Sequence, residues 1–153
     1  MQGPAFEDFV PGTVTTFGRH VATREEIVAF AAQFDPQPMH LDEAAAAKSM
    51  LGGLSASGWQ GCALMMRMIA DNLLAGSTGM GSPGIDEVKW LRPLRPGDVL
   101  SVRQTVLEVR PSSKRDDRGY VRFRFELLNG AGEVVTEQVN SIIFGRRDTG
   151  ATA

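Results

Sequence analysis

From Val121 to Leu127 the chain alternates without a break, apolar Val121, Phe123, Phe125 and Leu127 being separated by charged Arg122, Arg124 and Glu126. A period of two belongs to an extended strand, whose successive side chains point to opposite faces, so one row is directed at a core and the other at water. Helical winding would scatter the charges over the apolar side, which rules out a helix here. Sheets with one wet face are built from antiparallel strands. The flanking sequence supplies them. N-G-A-G at 129–132 turns the chain into a further strand from Glu133 to Phe144. Upstream, I-D-E-V-K-W-L is followed by R-P-G-D, where Pro96 and Gly97 suit the central positions of a type II turn. The second half is therefore expected to form an antiparallel sheet of about four strands.

The first half has a different period. After an extended opening from Thr13 to Phe17, Thr23 and Glu26 form a capping box, and Ile27, Phe30, Ala31 and Phe34 recur at helical spacing. Pro36 disfavours helical geometry in the residue before it, so the helix ends near Asp35. Asp42 can cap a short alanine-rich helix running to about Lys48. Beyond Gly52 and Gly53, an apolar run from Ser57 to Gly76 is expected to be the buried helix of the molecule. Helices first and strands later point to a single α+β domain spanning residues 1–153, a sheet wrapped on one helix, with 146–153 as a flexible tail.

Composition narrows the function classes. In a chain of 153 residues, 42% hydrophobic and 22% charged content suits a globular fold and argues against disorder. A formal charge of −2 gives no general attraction to nucleic acid, and the mixed cluster from Arg110 to Arg118 is read as a solvated loop. No signal-type N-terminus is present, and the stretch from Trp59 to Ala75 is too short and too interrupted to span a membrane. The lone Cys62 can form no internal disulfide and fits a reducing cytoplasm. Two histidines and one cysteine supply no zinc ligand set, and no phosphate-binding G-x-x-x-x-G-K-S/T loop occurs, so no metal is expected.

Chemistry concentrates in D-P-Q-P-M-H, residues 35–40. Two prolines stiffen the segment, so Asp35 and His40 can be held close enough to share one water molecule and perform acid–base work. The structural alternative is that Asp35 caps a turn and His40 packs beneath it. Gly58, at the start of the apolar helix, offers backbone amides and the positive end of the helix dipole to a developing negative charge. It could equally serve close packing. Ser55 and Ser57 lack a G-x-S-x-G surround and are read as helix-capping residues, while Met65, Met66 and Met68 are read as core or pocket lining.

D-P-Q-P-M-H, the following L-D-E-A-A-A-A, G-G-L-S-A-S-G-W-Q at the helix entrance and W-L-R-P-L-R-P-G-D together resemble the MaoC-like dehydratases, relatives of the R-specific enoyl-coenzyme A hydratases. The resemblance covers nearly the whole chain. It implies a hotdog fold, in which a curved antiparallel sheet wraps a long helix, and a homodimer with the substrate tunnel between protomers. Asp35 and His40 would take the catalytic positions around the water, and the Gly58 amide would hold the thioester oxygen. Gln37, standing where the hydratase motif has asparagine, would support the turn or the water, and Ser57 and Trp59 would line the substrate pocket. The implied reaction is reversible hydration of an enoyl-coenzyme A to a 3-hydroxyacyl-coenzyme A. Coenzyme A is then part of the substrate and no separate cofactor is required. The carrier could also be acyl carrier protein, with the Arg110 to Arg118 loop against its phosphates. Thioester hydrolysis and non-catalytic acyl-thioester binding are the alternatives on the same scaffold.

Overall fold

A computed structural model describes residues 2–147. In chain order it contains β1 (Val14–Val21), α1 (Arg24–Phe34), α2 (Pro38–Leu41), α3 (Glu43–Ala47), α4 (Gly58–Ile69), β2 (Glu87–Trp90), β3 (Val99–Pro111), β4 (Arg118–Leu128) and β5 (Val134–Gly145). The strands form one sheet in the order β1-β3-β4-β5-β2, every pair antiparallel. Strands β2 to β5 are those that the alternation predicts, and the opening strand joins them as a fifth. Helix α4 lies across β1, β3 and β5, which is the hotdog arrangement.

Local chemistry sets the helix ends as the sequence implies. Thr23 Oγ1 accepts the Glu26 amide at 3.2 Å and the Glu26 carboxylate accepts the Thr23 amide at 3.1 Å, closing the capping box of α1. Asp42 accepts the Ala45 amide at 3.0 Å and starts α3. The end of α4 differs from expectation. Over Ala70–Leu74 the helix widens into a π-type turn, in which the Ala75 amide reaches back to Ala70 at 2.9 Å, before Gly76 closes it at φ 73°.

The core lies between α4 and the sheet. Val121, Phe123, Phe125 and Leu127 are all fully buried, Phe123 and Phe125 stack at 5.0 Å, and Met65, Ile69 and Ile27 close over them. Removing such a side chain from water contributes about 1.5–3 kcal/mol. Close approach of helix to sheet needs Gly18 at the β1 bulge, since its φ is 81° and a Cβ there would lie 2.5 Å from Met68 Sδ.

Helix α4 is only half buried, which corrects the reading of it as enclosed. Gln60, Gly61, Met65, Met68 and Ile69 face the sheet, whereas Trp59 and Met66 are exposed. A single five-stranded layer covers one side of a helix and leaves the other open. The tail also starts later than expected: the Arg146 amide bonds Asp117 O at 2.8 Å and the Arg147 amide bonds Glu7 at 3.0 Å, while 148–153 lie outside the described residues. Among the described residues no helix is long and apolar enough to cross a membrane.

Candidate active site

Asp35 stands at the C-cap of α1, and the two prolines fold the next residues into a tight return. The Gln37 amide bonds Asp35 O at 2.8 Å and the His40 amide bonds Gln37 O at 3.0 Å. Pro38 opens α2 at its first position, where a missing N–H costs nothing. The two titratable side chains are thereby turned toward one another, His40 Nε2 lying 3.5 Å from Asp35 Oδ2.

The tautomer of His40 follows from its other nitrogen. Nδ1 lies 2.6 Å from the Ser55 carbonyl oxygen, which can only accept, so Nδ1 carries hydrogen and donates. In the neutral ring Nε2 then presents a lone pair toward Asp35. His40 is 5% exposed, so its ring is held on all sides. Asp35 is kept below its ordinary value of 3.8, first by the Gln37 amide, which donates to Oδ1 at 2.6 Å, then by the Ser57 hydroxyl and by His40, against the opposing effect of burial. At neutral pH it is a carboxylate. With the ring neutral, Nε2 and the carboxylate are two acceptors 3.5 Å apart.

Opposite them, α4 begins at Gly58. Ser57, which is buried, accepts the Trp59 amide at 3.3 Å as N-cap, and its carbonyl takes the Gln60 and Gly61 amides. The Gly58 amide has no acceptor among the described residues and sits at the positive end of the helix dipole. Gly58 also meets its packing alternative, because a Cβ would come within 2.5 Å of the Trp90 indole. The close-packing reading of this glycine is met by that contact.

One cavity of about 320 Å³ brings Asp35, Gln37, His40, Ser57, Gly58 and Trp59 onto its walls. The first three come from the α1–α2 return and the others from the head of α4. Sequence reasoning missed Trp90, Arg92 and Thr136, which line the same cavity. The sequence marks Trp90 only as a strand residue and as part of a family-like stretch that also holds Arg92, and Thr136 carries no signal. It arrives by register, as the β2–β5 pairing sets Trp90 against Thr136. Ser55 holds His40 by its backbone, and Met65 and Met68 are core while Met66 is exposed.

Elsewhere several titratable groups are held in structural contacts. Burial pushes the Cys62 thiol above 9.0, so it stays protonated near neutrality. In the Arg110 to Arg118 hairpin, Arg118 pairs with Asp117 at 2.8 Å and Arg110 lies over the Tyr120 ring at 4.5 Å; none of its residues lines the cavity. Among the described residues no group of three metal-ligating side chains is gathered.

Comparison with known proteins bears on the fold and the family. The family model described as a MaoC like domain matches residues 7–122. The crystal structure of a MaoC-like dehydratase from Rhodospirillum rubrum superposes with a TM-score of 0.87 at 42% identity, covering 95% of this chain and 99% of that one. An R-hydratase from Pseudomonas aeruginosa, in its unliganded form, superposes at 0.72 with 26% identity over 94% of this chain and 86% of the other. An uncharacterized protein of Bacillus subtilis is 27% identical over 140 residues, 92% of this chain and 98% of its own.

Proposed function

The chain belongs to the MaoC-like domain family, and from that premise we propose that it is a hydratase-dehydratase that adds water reversibly to a 2-enoyl thioester. The observation that carries this reading is the His40 tautomer: with Nδ1 committed to the Ser55 carbonyl at 2.6 Å, Nε2 and the Asp35 carboxylate are two acceptors 3.5 Å apart. Water, a neutral molecule with two protons to donate, satisfies both and keeps its own lone pairs for attack.

In the proposed step, a water proton passes to the pair as the water oxygen bonds to C3 of the acyl group. Taken by His40 Nε2, that proton creates an imidazolium beside the Asp35 carboxylate, which stabilises it. The electrons of the double bond move onto the thioester oxygen, where the Gly58 amide and the helix dipole receive them. Collapse of the enolate takes the proton onto C2 and restores the pair. Atoms balance with no redox partner, so coenzyme A enters as part of the substrate and no cofactor is needed. Gln37 keeps Asp35 ionised and oriented, and Arg92, paired with Glu133 at 3.5 Å, stands on the cavity wall where it could face the carrier side of the substrate.

Crotonyl-coenzyme A tests the reading. The expected result is loss of enoyl absorbance without release of free thiol, with Asp35→Asn and His40→Ala each lowering kcat by about 10²-fold or more while the melting temperature holds. Thiol release would establish hydrolysis instead, and binding without turnover would make the protein a carrier. Near-native turnover by either variant ends the assignment of the pair.

A further inference from the structure

A second cavity of about 470 Å³ continues the line of the first along the groove between α4 and the β2–β5 pair. The two share a direction because they draw on the same rows of side chains. On β2, Trp90 faces the first cavity and Val88 the second, and on β5, Thr136 is followed at two-residue intervals by Gln138, Asn140 and Ile142. On α4, Gly58 and Gly61 serve the first and Cys62, Ala63, Met66 and Ile69 the second. The helix carries the groove about 15 Å from Trp59 to Ile69.

Trp59 is the one residue on both linings among the described residues, so it stands between the two spaces. Its ring meets Trp90 edge to face, the centroids 5.1 Å apart and the planes at 78°. Trp90 in turn is pressed on the Gly58 backbone, where even a methyl group would have to displace it. The chamber beyond is lined mainly by apolar groups. Its polar residues are turned on one another, Gln138 donating to Asn140 Oδ1 at 3.1 Å and Asn140 to Ser82 Oγ at 3.3 Å. A methylene chain would suit this space, and the indole pair stands between it and the first cavity.

We infer that the Trp59–Trp90 pair is the length limit of the acyl site, so that short 2-enoyl groups are taken and longer ones are stopped before the second cavity. The inference rests on the hydratase reading for its substrate class, and its wall is testable apart from the chemistry. Values of kcat/KM are measured with crotonyl-, hexenoyl- and octenoyl-coenzyme A on the native protein and on Trp59→Ala. Equilibrium binding of the saturated butyryl and octanoyl thioesters is measured alongside.

The native protein should lose at least tenfold in kcat/KM from the four-carbon to the eight-carbon substrate. Trp59→Ala should raise the eight-to-four ratio at least tenfold, with the binding ratio moving in the same sense. Equal native turnover at all lengths overturns the limit and leaves the hydratase reading intact. An unchanged ratio in Trp59→Ala overturns it as well, since the chamber would then be closed by something other than this ring. If no enoyl thioester is turned over but butyryl binds in preference to octanoyl and the variant reverses that order, the wall stands and the hydratase reading falls.

Discussion

Three atoms carry the proposed chemistry: His40 Nε2, an Asp35 carboxylate oxygen and the Gly58 amide nitrogen. The first two were legible in D-P-Q-P-M-H because the prolines limit the conformations of a short segment, so proximity follows from local geometry. What stayed hidden is the Ser55 carbonyl that orients His40 at 2.6 Å, since a backbone atom carries no mark of its role in the sequence. Gly58 separates two causes that a substitution normally mixes. Its amide cannot be deleted, but a Cβ would strike Trp90 at 2.5 Å. Gly58→Ala is therefore expected to cost more than tenfold in kcat by displacing the indole, and Gly58→Ala with Trp90→Ala to recover part of it. Steady-state kinetics of the two variants check this; equal losses in both would mean that the methyl group harms the amide itself.

At the scale of elements, helix boundaries were the most legible part, because the capping groups at Thr23, Glu26 and Asp42 act within a few residues of the end they satisfy. The π-type turn at Ala70–Leu74 was not, and neither was the β2–β5 register that brings Thr136 to the cavity. Both depend on packing between distant segments. One such long-range tie holds the site loop in place. The Arg95 guanidinium donates to Gly53 O at 2.7 Å and to Leu54 O at 3.3 Å, and also bonds Leu51 O, while its own amide bonds Asp98 at 2.9 Å. The R-P-G-D turn thus pins the backbone that runs straight into Ser55 and Ser57. Arg95→Gln is expected to lower kcat about ten- to hundredfold with little change in KM, and to cost about 1–3 kcal/mol, a melting shift of several degrees. Kinetics and thermal unfolding measure the two effects, and a native kcat in Arg95→Gln would refute the positioning role.

The whole molecule leaves one flank unfinished. Trp59, Met66, Ile85, Trp90 and Leu91 are all exposed, and β2 has a single strand neighbour at the end of the sheet. We propose that a second copy of the chain covers this flank, as an exposed apolar patch beside an open strand edge is a surface fitted to association. Light scattering is expected to give twice 16.5 kDa, and a single-chain mass at micromolar concentration would refute the dimer. The order of strands in the sheet has a further consequence for a chain emerging from the ribosome. β1 waits for β3, and β2 for β5, so the two outer strands are made before the partners that hold them. Asp35, His40 and Gly58 are translated early, whereas Thr136 belongs to the last strand. A nascent chain stopped short of Val134 would carry Asp35, His40, Gly58 and the β1-β3-β4 part of the sheet, but not β5, the strand that holds β2. The cavity wall formed by Trp90 and Thr136 is therefore completed only with the final strand, and until then the β2–β5 side of α4 stays open.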